Sequence, residues 1–128
     1  MSQKAVLIDT DILVDFFRGL DKAATVISAC EDRIILSAIV VAEMYAGVKG
    51  DKELEALDAF VSLFPVVPVT PAIARLGGMY KRDYHKSHAI SLADAILAAT
   101  AESEHAELKT LNVRHYPMLK ALAPAYTK

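Results

Sequence analysis

Apolar and polar residues alternate along this chain in blocks whose spacing switches between that of a buried strand and that of a helix. Ala5–Ile8 is an uninterrupted apolar run, as a strand covered on both faces requires. From Asp11 the apolar positions Ile12, Leu13, Phe16 and Phe17 follow helical spacing until Gly19. A second helix is predicted over Asp21–Cys30, a strand over Ile34–Leu36, and a helix from Ala38, with Ser37 as its N-cap, ending near Gly47 or Gly50. Leu54, Leu57, Phe60, Val61 and Phe64 repeat at helical intervals within Glu53–Phe64, which Pro65 closes. Val66–Val69 reads as a third strand, and Pro68, which lacks an N–H, puts it at a sheet edge. Pro71–Tyr84 predicts a helix with proline in its first turn, followed by a basic loop that ends at His88. Ser91–Ser103 is an alanine-rich helix, Glu107–Leu111 a strand, and Tyr116–Leu119 a turn before a last short strand near Ala121. Strands alternating with helices imply an α/β fold, a three-layer α/β/α sandwich around a mostly parallel sheet of four to five strands.

Composition narrows the class. The 128 residues suit one domain over 1–128, and no repeat, low-complexity tract or Gly/Ser linker divides them. Hydrophobic residues at 54% are too many for a disordered chain. The uncharged stretch Ser62–Ala74 carries three prolines and falls far short of the ~20 apolar residues that cross a bilayer, so no membrane span is expected. The apolar run Ala5–Ile8 is too short for a signal-peptide core, which makes the cytoplasm the expected location. Cys30 is the only cysteine, so neither an intrachain disulfide nor a multi-cysteine zinc site can form. A formal charge of −2 lacks the cationic excess of general nucleic-acid binders, so any such contact needs a local patch. Lys81, Arg82, His85, Lys86 and His88 form the densest one, although cations there also suit a solvated loop at a helix C-terminus.

Three acids stand in places that polar residues seldom occupy. Asp9 follows an apolar strand directly, where open α/β sheets bind ligands; the plainer reading is a helix cap. Glu43 has Ile39, Val40, Ala46 and Gly47 as its helical neighbours, so it lies on an apolar stripe and needs either a cation or a buried salt bridge. Asp94 lies in an alanine-rich helix, and Ser91 three residues earlier also fits a capping box. Converging carboxylates repel one another unless a divalent cation neutralises them, and hard oxygens select Mg²⁺ or Mn²⁺. A cation held in that way can acidify a water, aim it at phosphorus and stabilise the leaving oxygen.

The segments Ile8-Asp9-Thr10-Asp11-Ile12-Leu13, Leu36-Ser37-Ala38 with Val41-Ala42-Glu43-Met44-Tyr45-Ala46-Gly47, Leu92-Ala93-Asp94-Ala95-Ile96-Leu97 and Thr110-Leu111-Asn112-Val113-Arg114-His115-Tyr116 occur in an order and spacing that carry a likeness over nearly the whole chain. The chain resembles PIN-domain nucleases, in particular the VapC-type toxins of bacterial and archaeal toxin–antitoxin pairs. The resemblance implies a metal-dependent endoribonuclease whose metal-binding acids are Asp9, Glu43 and Asp94, with the Thr10 hydroxyl beside them. Asn112 stands where many relatives carry a fourth catalytic aspartate, which implies one firmly held ion and a second only when RNA phosphate supplies oxygens. Arg114 and His115 are placed near RNA, although His115 also suits a bracing role. Transfer or ribosomal RNA as substrate, a homodimer, and a VapB-like antitoxin whose helix lies in a groove near Phe16, Phe17, Tyr45 and Leu57 are further implications. Two rivals remain. Val6-Leu7-Ile8-Asp9-Thr10-Asp11 resembles the first motif of haloacid-dehalogenase-type phosphatases, with Asp9 as nucleophile and Asp11 as acid and base, but that family's later lysine and Gly-Asp pair are missing. A catalytically silent binding module is the other, favoured only by Asn112.

Overall fold

A computed structural model describes residues 3–128. Val6–Ile8 (β1) is buried completely along its length, which requires cover on both faces and explains why the strand is apolar without alternation. It pairs in parallel with Ile34–Ser37 (β2) on one side and with Glu107–Lys109 (β4) on the other, and Val66–Val67 (β3) pairs in parallel with β2. The order across the sheet is β3-β2-β1-β4. Parallel neighbours need crossovers, which the helices supply: Thr10–Phe17 (α1), Asp21–Cys30 (α2), Ala38–Ala46 (α3), Gly50–Val61 (α4), Pro71–His88 (α5) and Leu92–Glu104 (α6). The core joins β1 and β2 to Ile12 and Leu13 of α1, Val40 of α3 and Leu97, Ala98 and Ala101 of α6. Each large apolar side chain fully buried there stabilises the fold by roughly 1.5–3 kcal/mol.

Ser37 caps α3 as expected, its hydroxyl accepting from Ile39 N at 3.3 Å. β3 is an edge strand that stops before Pro68. α4 starts at Gly50, earlier than the apolar spacing predicts, because Glu53 Oε1 reaches back to accept from Lys49 N. The basic segment ending at His88 is helix rather than loop. No Gly or Pro interrupts it, and Tyr80, Tyr84 and His88, each four residues from the next, form a ladder of edge-on rings with centroids 6.4 and 6.0 Å apart. Ala89 in the left-handed region (φ 51°) ends the helix. The expected last strand near Ala121 is absent among the described residues; Ala121 has φ 59°, a conformation that breaks an extended run.

Candidate active site

Parallel strands deliver their carboxyl ends to one mouth of the sheet, and the acids gather there. Asp9 N–H continues the ladder by donating to Lys109 O (2.9 Å), and Asp9 Oδ1 caps α1 by accepting from Thr10 N (2.7 Å). Its other oxygen, Oδ2, accepts from Thr110 Oγ1 (2.8 Å) and from the Tyr116 hydroxyl (2.7 Å). Asp9 is therefore both a helix cap and part of a cluster.

Asp94 occupies the third position of α6, and its backbone N–H donates to Ser91 Oγ (3.0 Å), which is half of a capping box. The carboxylate does not turn back to complete it. Instead Oδ1 accepts from the Tyr116 hydroxyl (3.1 Å), and Oδ2 lies 3.1 Å from His115 Nδ1.

Glu43 departs from its core-facing expectation: it is exposed. Val40 is buried, but Ala46 and Gly47 are exposed, so the apolar stripe of α3 leaves the core within two turns and lines an open groove. Glu43 Oε1 accepts from Thr10 Oγ1 (2.9 Å), and among the described residues no ion pair engages it. One unbroken run of hydrogen bonds thus links Glu43, Thr10, Asp9, Tyr116 and Asp94, and His115 Nδ1 stands against the far oxygen of Asp94.

Burial pushes the Asp9 carboxyl up, and the charge of Asp94 adds to this against the hydrogen bonds from Tyr116, Thr110 and Thr10 N. Asp11 is pushed up to about 6, first by burial and then by the charge of Asp9. The Tyr116 phenol is driven far above its ordinary value by burial and by the Asp9 charge beside it, so it stays protonated and donates. A phenol carries one hydrogen, and two carboxylates share it. The mouth is therefore short of positive charge. Among the described residues no three acid, His or Cys side chains stand close enough to ligate one ion directly; the three acids are held apart by the hydroxyls between them.

The PIN domain family model matches residues 6–116, from the start of β1 to Tyr116. The chain belongs to the PIN-domain family. Over 124 residues it is 44% identical to Ribonuclease VapC19 of Mycobacterium tuberculosis (strain CDC 1551 / Oshkosh), covering 94% of this chain and 98% of that protein. It is 36% identical over 124 residues to Ribonuclease VapC10 of the same strain, covering 94% and 92%. A solved toxin–antitoxin complex from Klebsiella pneumoniae contains a similar fold, with TM-score 0.83 and 25% identity over 95% of this chain and 98% of that chain.

Within this PIN domain the other expected residues are spread around the mouth. Asn112 is exposed; its backbone N–H donates to Thr110 Oγ1 (3.1 Å), and it shares a cleft with Arg114 and His115. Asp11 Oδ1 accepts from Ile12 N (2.7 Å) and Oδ2 from Leu111 N (3.0 Å), so this acid ties the loop after β4 to α1, and the phosphatase reading loses its second acid. Of the four expected groove residues, Phe17 and Leu57 line a groove of about 550 Å³ together with Val14 and Met44, and Thr10 and Glu43 close its acidic end. Phe16 packs on Phe60 instead (5.5 Å), and the Tyr45 hydroxyl donates to Asp58 Oδ1 (2.6 Å). Sequence reasoning missed Tyr116 and Thr110. Their signal is faint: a hydroxyl two residues before Asn112 and a tyrosine in a turn, whose buried phenol then needs a polar partner.

Proposed function

We propose that this chain is the endoribonuclease toxin of a toxin–antitoxin pair and hydrolyses RNA phosphodiester bonds at the mouth occupied by Asp9, Glu43 and Asp94. The observation that carries the reading is the single hydrogen-bonded run joining three acids, from the end of β1, from α3 and from α6, with no lysine or arginine among the described residues paired to any of them. A donor set made only of carboxylate, hydroxyl and amide oxygens suits a hard ion, so the residues fit Mg²⁺ or Mn²⁺. As they stand, the three acids are too far apart to ligate one ion together. Such an ion would be held by one or two of Asp9, Glu43 and Asp94 and through water by the rest, with Asn112 at the margin, and would supply charge neutralisation and Lewis-acid stabilisation of phosphate oxygens.

The chain's own residues do the positioning. Thr10 holds Glu43, Thr110 and Tyr116 hold Asp9, and Asp94 fixes the His115 ring through Nδ1, leaving Nε2 to contact substrate. Arg114 adds a cation beside it for RNA phosphate. The groove beginning at Thr10 and Glu43 suits the apolar face of an antitoxin helix, with a cationic side chain reaching the acids. Kinship with the two ribonucleases and likeness to a chain of the toxin–antitoxin complex support substrate and partner alike. Kinship also supports a homodimer, which light scattering of the purified chain tests. A cytoplasmic location accords with the finding that no helix among the described residues is long and apolar enough to cross a membrane.

The test is cleavage of a mixed transfer and ribosomal RNA pool. Wild type with Mg²⁺ or Mn²⁺ is expected to yield discrete fragments and to stop in EDTA, while Asp9→Asn and Asp94→Asn lose at least about a hundredfold in rate. RNA left intact with every ion, or undiminished cleavage by Asp9→Asn, overturns the reading. Sequencing the new RNA ends after induction without a partner names the substrate.

A further inference from the structure

The end of α5 and the loop after β4 are far apart in sequence, yet they enclose one cleft of about 400 Å³ lined by Lys86, His88, Asn112, Arg114 and His115. No acidic side chain lines it. His115 belongs to this wall and also to the acidic network, since its Nδ1 is 3.1 Å from Asp94 Oδ2. A cationic cleft therefore opens directly beside the acids.

The basic cluster of α5 is not uniform. Lys81 Nζ is committed to Ile90 O (2.6 Å), Arg82 pairs with Asp83 (2.9 Å), and His85 Nδ1 sits against the Lys81 and Arg82 carbonyls of its own helix. That leaves Lys86 and His88 for the cleft. Neither Lys86 nor Arg114 forms an ion pair among the described residues. The His88 ring is held by Tyr84, edge-on at 6.0 Å, and Ser87 Oγ lies 2.7 Å from its Nδ1. Terminal carbonyls of α5 put partial negative charge nearby, and the two full cations outweigh it.

We propose that this cleft is a phosphate subsite for single-stranded RNA, in which Lys86 and Arg114 hold the phosphate next to the one cleaved and His88 offers its ring to the adjoining base. The proposal rests on the nuclease reading and adds to it the residues that seat the flanking chain. A splayed single strand can seat one phosphate in the cleft while its neighbour meets the acids, with the unpaired base free to lie on the His88 ring.

The test measures binding of a fluorescein-labelled single-stranded RNA of about 12 nucleotides by anisotropy across a salt series, with EDTA present so that no cleavage occurs. Each phosphate contact contributes a slope of about −0.7 in log K against log salt. Lys86→Gln with Arg114→Gln is expected to make the slope shallower by about 1.4 and to weaken binding about tenfold or more. Lys86→Arg retains the wild-type slope, and so does Lys4→Gln, which removes one charge at the opposite end of β1. A slope unchanged in the double variant overturns the subsite while wild-type cleavage of the same RNA with Mg²⁺ leaves the nuclease reading standing. Wild type that neither binds nor cleaves that RNA sinks both. Equal weakening by Lys4→Gln also overturns the subsite, since the effect is then one of net charge. Circular dichroism of each variant separates a lost contact from a lost fold.

Discussion

Tyr116→Phe removes one oxygen from a side chain that is 1% exposed, so the ring keeps its burial and only the shared hydrogen disappears. A hydrogen bond to a charged acceptor is worth about 1.5–3 kcal/mol. Asp9 Oδ2 keeps Thr110 Oγ1 at 2.8 Å and Oδ1 keeps Thr10 N at 2.7 Å, which puts the loss toward the lower end, about 2 kcal/mol. Asp9 and Asp94 then face one another with nothing between them, and the Asp9 carboxyl moves further up. In EDTA near pH 7 the variant should unfold at lower urea, with a melting midpoint lower by roughly 5–10 °C for a domain of this size. Mg²⁺ should narrow the gap, because a cation supplies the neutralisation that the phenol hydrogen provides in its absence. Tyr126→Phe serves as the comparison: it removes a hydroxyl bonded to Asp15 rather than to Asp9, Glu43 or Asp94, and its loss should not respond to Mg²⁺. Equal stability of Tyr116→Phe and wild type in EDTA, or a gap that Mg²⁺ leaves unchanged, would refute the view that this phenol stands between two charged acids.

Further outcomes follow from other parts of the fold. The Tyr126 hydroxyl beside Asp15 (2.5 Å) holds that carboxyl below its ordinary value, with Lys128 Nζ (2.9 Å) adding to this against burial. A depressed folded-state value stabilises above the unfolded value, near 3.9, and that stability is lost as pH falls through the folded value. Urea unfolding from about pH 7 to pH 3 should therefore show a steeper acid loss for wild type than for Asp15→Asn, and parallel curves would exclude the pairing. Gly77→Ala places a Cβ 3.0 Å from Ile96 Cγ1 and 3.1 Å from Ile96 Cα, so α5 and α6 must part; a loss of about 1–3 kcal/mol is expected in chemical denaturation. Gly78→Ala meets nothing within 4 Å and should instead stabilise by about 0.5–1 kcal/mol, so the same change at neighbouring positions has opposite signs.

The parts of this molecule that sequence makes legible are those set by local rules. β1 is readable because a strand covered on both faces has to be apolar throughout, and the acid that ends it marks the mouth. Ser37 and Ser91 are readable because a helix start needs an acceptor, and Pro68 marks an edge because it cannot donate. Glu43 is harder. Helical spacing reports an apolar stripe but not whether it faces a core or an open groove, and on α3 it does first one and then the other. The end of α5 reads as loop because its charges resemble a solvated segment, whereas the ring ladder that favours helix only emerges once the helix exists. Tyr116 escapes for another reason: its partners are 107 and 22 positions away, and no window of sequence contains both.

Those separations also order events during synthesis. Asp9 leaves the ribosome early, but the hydroxyls of Thr110 and Tyr116 that hold its Oδ2 emerge 101 and 107 positions later. β4 must then insert beside β1, a late and non-local pairing, before the mouth takes shape. A nascent chain halted before that point already contains Asp9, Glu43 and Asp94, and Thr10 to join the first two, but it lacks the phenol that ties Asp9 to Asp94, so no such unfinished copy carries the complete acid cluster.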